Sequence, residues 1–99
     1  MTYRNKLTDR FFEAVLSLTS VEECYDFFED VCTVKEIIEI SQRLEVARML
    51  SEKKSYQTIN AETGVSSATI GRVNRCLVYG TGGYRRAIER TNNKKNGKE

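Results

Sequence analysis

Apolar positions recur at spacings of three and four along most of this chain, with polar residues on the intervening faces. Leu7, Phe11, Val15 and Leu18 form one such stripe and predict a first helix over about residues 5–18. The stretch TSVEE then restarts the chain, because Ser20 can accept from the amide of Glu23 while Glu23 reaches back, as in a capping box. Val21, Cys24, Tyr25, Phe28, Val31 and Cys32 line one side of a second helix, and Glu22, Glu23, Asp26, Glu29 and Asp30 line the other. CTVKE repeats the device with Thr33 and Glu36 and opens a long third helix. Its main stripe is Ile37, Ile40, Leu44, Ala47 and Leu50, and Ile38, Val46 and Met49 widen the apolar surface beyond one face. A fully internal core helix or partner helices from a second subunit would each satisfy that surface. SEKKS ends the helix, with Lys53 and Lys54 placed against its negative end. No strand pattern of useful length and no internal repeat is seen.

The pattern then shortens. In SYQTINAETGVSSATIGR, Ser55 predicts the N-cap of a helix of about eight residues ending at Thr63, and Gly64 sits where a left-handed residue closes a helix. Ser66 or Ser67 caps the next helix, which runs to about Tyr79. A short helix, a glycine-containing turn and a second helix make a helix-turn-helix over about residues 55–79. Ile59, Val65, Ile70, Val73 and Leu77 supply the apolar contacts between its arms. Gly80, Gly82 and Gly83 mark a break, after which Tyr84, Ala87 and Ile88 predict a short last helix to Arg90. The expected organisation is one all-α domain over residues 1–91 and a disordered basic tail over 92–99.

Charge sharpens this picture. Residues 1–54 carry 8 basic and 11 acidic side chains, a balance of −3, whereas residues 55–99 carry 8 basic and 3 acidic, a balance of +5. The basic half holds the helix-turn-helix, which points to a polyanion. Much of that excess, +4, comes from residues 81–99, so a basic tail alone is the plainer reading of the asymmetry. The chain has no histidine and an odd three cysteines, Cys24, Cys32 and Cys76, which argues against a zinc site and a disulfide framework. Cys24 and Cys32 are expected as buried free thiols on the second helix. No signal peptide or membrane span is expected, and the location read from these features is cytoplasmic, on the nucleoid. With no nucleophile beside a base, no metal cluster and no phosphate loop, an enzyme is not expected, nor is a cofactor.

The polar side of the second arm begins with small residues, Ser67, Ala68 and Gly71, which let a helix approach the floor of a DNA major groove. Arg72, Arg75, Arg85 and Arg86 are candidates for the phosphate backbone, and Ser55, Gln57, Thr58 and Ser67 for phosphates or base edges. A plain helical hairpin with a solvated face is the alternative. RNA fits less well, since no aromatic stacking platform is present.

The run QRLEVARMLSEKKSYQTINAETGVSSATIGRVNRCL resembles the Trp repressor family, and ATIGRVNRCLVYG its YerC/YecD-type members in particular. The likeness is firm over about residues 33–80 and looser before them. It implies an intertwined all-α homodimer whose helix-turn-helix units read two half-sites of a palindromic operator. Carried over by position, groove contacts are implied for Gln57, Asn60, Ser67, Ala68 and Gly71. The family's tryptophan pocket uses two arginines, a threonine, a glycine against the ring and a serine. The matching positions are Arg43 and Arg72, Thr33 and Thr69, Val73 in place of the glycine and Cys76 in place of the serine. A branched side chain at 73 and a thiol at 76 speak against tryptophan as effector, while another small molecule stays open. The resulting expectation is a repressor-like, double-stranded DNA-binding homodimer. A helical adaptor that binds protein through the same shape is the alternative.

Overall fold

The computed structural model describes residues 3–95 and contains six helices, α1 (Lys6–Leu16), α2 (Val21–Val31), α3 (Val34–Ser51), α4 (Tyr56–Thr63), α5 (Ser67–Tyr79) and α6 (Gly83–Lys95). There is no strand among the described residues, so the all-α class expected from the periodicity holds. The side chains of residues 94 and 95 are not described. The chain divides at Ile37/Ile38 into two compact units, and α3 passes from one into the other.

In the first unit, each helix start is built by a cap. Asn5 and Thr8 form a reciprocal capping box at α1, with Thr8 N–H donating to Asn5 Oδ1 at 3.1 Å and Asn5 N–H to Thr8 Oγ1 at 3.0 Å. At α2, Glu23 N–H donates to Ser20 Oγ at 3.0 Å as expected, but the Glu23 carboxylate reaches one residue further back, to Thr19 N–H at 2.9 Å. At α3 the box is complete: Thr33 N–H donates to Glu36 Oε1 at 2.8 Å and Glu36 N–H to Thr33 Oγ1 at 3.1 Å. Phe11, Phe27 and Phe28 meet between α1 and α2, with centroids 6.0 Å apart for Phe11 and Phe27 and 6.4 Å for Phe11 and Phe28. These are edge and tilted contacts of the kind aromatic rings favour. Yet neither helix has a buried residue. Leu16 is 82% exposed and Leu7 74%. The thiols expected to be buried are not: Cys24 is exposed and Cys32 half-buried.

The second unit holds the core. Val46, Ala47 and Met49 of α3 pack with Ile59, Val65, Ile70, Val73 and Ile88, and Leu50 and Tyr84 lie against them. The expected main stripe of α3 is therefore only partly the buried one. Ala47 is buried, whereas Ile40 stays 50% and Leu44 44% exposed. The residues thought merely to widen the surface, Val46 and Met49, do the packing. The end of α3 is a Schellman motif: Lys54 N–H donates to Met49 C=O at 3.1 Å and Lys53 N–H to Leu50 C=O at 2.9 Å. Lys53 takes the left-handed position, φ 68°. At the other end, α6 extends beyond the expected Arg90 to Lys95, and so takes in residues assigned above to the tail. Residues 96–99 lie outside the described ones.

Candidate nucleic-acid interface

Both arms of the helix-turn-helix start and stop where their side chains dictate. Ser55 caps α4, its Oγ accepting from Thr58 N–H at 3.1 Å and its hydroxyl donating to Thr58 Oγ1 at 3.0 Å. Gly64 closes α4 in the left-handed conformation, φ 75°, with its N–H on Asn60 C=O. Ser66 caps α5 by accepting from Thr69 N–H at 3.2 Å. Ile59 and Ile70 are fully buried, and Val65, Val73 and Leu77 nearly so. One side of each arm is thereby committed to the core, and the other side of α5 is left to solvent.

Of the residues proposed for DNA, α5 carries Ser67, Ala68, Gly71, Arg72 and Arg75. Ser67 and Ala68 are exposed in the first turn of α5, Gly71 is half-buried one turn on, and nothing lies within 4 Å of where a Gly71 Cβ would be. Arg72 and Arg75 are exposed, and among the described residues neither is held in an ion pair. Arg48 of α3 offers the contrast. Its guanidinium is held by Glu45 and Glu52, and hydrogen bonding and charge from these carboxylates raise its pKa above the ordinary value. Ser55, Gln57 and Thr58 are exposed at the start of α4.

Two candidates are otherwise engaged. Asn60 Nδ2 donates to Val65 C=O at 2.8 Å, so its amide nitrogen turns into the turn and not outward. Arg85 Nε donates to Leu77 C=O at 3.1 Å, which closes the end of α5. Sequence reading missed both roles, since the partners are backbone carbonyls. The one available signal was an amide residue four positions before a turn glycine, where a short side chain can reach the turn backbone.

The residues matched to an effector pocket separate. Arg43, Thr69 and Arg72 line one cavity of about 330 Å³ together with Glu39, Gln42, Val65 and Ser66. Val73 is not among its walls and lies in the core. Cys76 is exposed and lines a different cavity, with Gly80, Thr81, Gly83, Tyr84 and Ala87. Thr33 is the N-terminal cap of α3 in the first unit.

Comparison with known proteins agrees with this architecture. The profile of the Trp repressor protein family matches residues 6–92. The protein YerC of Bacillus subtilis (strain 168) is 54% identical over 87 residues, which cover 88% of this chain and 84% of that protein. The crystal structure of a TrpR-like protein from Eubacterium eligens ATCC 27750 is 52% identical and superposes with a TM-score of 0.87, covering 90% of this chain and 92% of its own. A candidate Trp repressor from Staphylococcus aureus, also solved, is 47% identical with the same TM-score, covering 90% and 89%. The helix order, the capped helix-turn-helix and these matches together place the chain in the Trp repressor family, a family of DNA-binding regulators.

Proposed function

We propose that this protein is a sequence-specific, repressor-like transcriptional regulator that reads a palindromic operator as a homodimer. The observation that carries the reading is the first half of α5. Its capped N-terminus presents Ser67, Ala68 and Gly71 to solvent, with the unpaired Arg72 and Arg75 one turn behind. Such a helix can enter a major groove closely while flanking guanidiniums hold phosphates. Gln57 at the start of α4 is placed to add a contact from the preceding helix. The dimer is supported by the first unit, whose α1 and α2 bury nothing, and by Ile38, Ile40 and Leu44 on α3, all exposed. A second copy would cover these positions.

Tryptophan is not the effector in this reading. Val73 carries a branched side chain where the family's pocket has glycine, and it is committed to the core. Calorimetry with L-tryptophan is expected to show no micromolar binding.

The test is selection of bound duplexes from random DNA, followed by affinity measurements across salt. A palindromic pair of half-sites about one helical turn apart is expected. Affinity should fall log-linearly with salt, and Arg72→Ala or Arg75→Ala should weaken binding to all sequences and flatten that slope by roughly one phosphate contact per subunit. Absence of DNA affinity at low salt would refute the regulator and favour a helical adaptor that binds protein.

A further inference from the structure

The turn between the two arms is held at one residue, Val65, from three directions. Val65 N–H donates to Thr63 Oγ1 at 3.1 Å. Val65 C=O accepts from Asn60 Nδ2 at 2.8 Å. The Val65 side chain is buried with Ile59, Ile70 and Val73. Thr63 is itself fixed, because its hydroxyl donates to Ile59 C=O at 2.7 Å. The next residue, Ser66, is the N-cap of α5. Only one peptide link thus separates the carbonyl that Asn60 holds from the first turn of the helix proposed to enter the groove. The orientation of that peptide plane sets the direction in which α5 leaves the turn. The Gly64–Val65 plane is held at its N–H and the Val65–Ser66 plane at its C=O, so with φ and ψ of Val65 as the only soft torsions between them, that direction keeps little freedom.

We propose that Asn60, together with Thr63, is a positioning residue for DNA reading: the two side chains clamp Val65 and preset α5, and Asn60 does not itself read a base. The inference rests on the regulator reading above. It departs from the family correspondence, which places Asn60 among the groove contacts. In this structure one of the two N–H donors of the Asn60 amide is engaged by Val65 C=O, which fixes the side chain against the turn. A turn freed of the clamp would sample other directions of α5, so that only part of the population is competent. Apparent affinity falls by that fraction, while the contacts made once bound stay the same.

The experiment uses the full chain and the duplex recovered by selection. Wild type, Asn60→Ala, Asn60→Asp and Thr63→Val are compared well below their unfolding temperatures. Asn60→Asp keeps the size and removes the donor, and Thr63→Val keeps the shape and removes the other hold. Three quantities are read: affinity across salt, preference against duplexes changed at single base pairs, and amide hydrogen exchange at residues 64–69. The clamp predicts about a tenfold loss of affinity for each variant, the scale of one hydrogen bond in a structured turn. It also predicts faster exchange at 64–69, an unchanged salt slope and an unchanged order of base preferences. A merely structural role would lower the unfolding temperature and leave affinity intact at low temperature.

Relaxed preference at one base pair, or a flatter salt slope in Asn60→Ala, would overturn the proposal by showing that Asn60 touches DNA. Wild-type affinity and exchange in Asn60→Asp would overturn it by showing the clamp idle. If Asn60→Ala does not fold, Thr63→Val carries the same test, and wild-type affinity there is equally fatal. Failure of the wild type to bind any duplex at low salt would instead sink the regulator reading, and this inference with it.

Discussion

Two left-handed residues, Lys53 and Gly64, offer a reciprocal measurement of how the chain ends its helices. Lys53 has φ 68° at the end of α3 and Gly64 has φ 75° at the end of α4. An L-residue pays about 1–2 kcal/mol for that conformation, and glycine none. Glycine returns about 0.4–1 kcal/mol through its freer unfolded chain. Lys53→Gly also removes a cation from the negative end of α3, worth a few tenths of a kcal/mol at an exposed site. The net expectation is a gain of about 0.5 kcal/mol for Lys53→Gly and a loss of roughly 0.5–1 kcal/mol for Gly64→Ala. No steric term enters the second, since nothing lies within 4 Å of a Cβ at Gly64. Urea unfolding followed by far-ultraviolet circular dichroism at one fixed protein concentration reads both. With slopes of about 1–3 kcal/mol/M, midpoints should move by a few tenths molar in opposite directions at constant slope. If Lys53→Gly lowers the midpoint, or both changes shift it the same way, backbone conformation is not what limits these helix ends.

Three further outcomes follow from the packing and the caps. Ile70→Ala should cost about 2–5 kcal/mol by the same urea assay, because Ile70 is fully buried at the centre of the helix-turn-helix. Thr33→Ala should cost about 1 kcal/mol by removing the side-chain acceptor of the α3 capping box, and a loss below a few tenths would show that the box is idle. Gly80→Ala should destabilise more than Gly64→Ala in parallel melts, since its Cβ would lie 2.3 Å from the Cys76 carbonyl oxygen and the corner between α5 and α6 would have to move.

The helix-turn-helix was legible, apart from the choice between Ser66 and Ser67 as the cap of α5, because its signals are local. Ser55, Gly64 and Ser66 each act on atoms within four positions, and the apolar residues Ile59, Val65, Ile70 and Val73 have no competing surface. The buried face of α3 was not legible. Its sequence offers apolar residues around much of the helix, and only tertiary packing decides that Val46 and Met49 go inward while Ile40 stays half exposed. The thiol at position 24 misled for the same reason: periodicity says which residues share a face, not whether anything covers it. Asn60 and Arg85 were misread because a side chain's polarity does not reveal that its partner is a main-chain carbonyl. Nor did composition mark the length of α6, whose last turns are polar throughout.

The absence of any buried side chain from α1 and α2 has a consequence for how the protein is made. These helices leave the ribosome before α3 to α6, with Phe11, Phe27 and Phe28 packed against one another. Nothing later in the same helices hides them. Between synthesis and encounter with another copy, each chain is open to chaperones and proteases. Under the dimer reading, steady-state abundance then depends on a second-order encounter, and a fall in synthesis rate lowers the amount of functional protein more than in proportion.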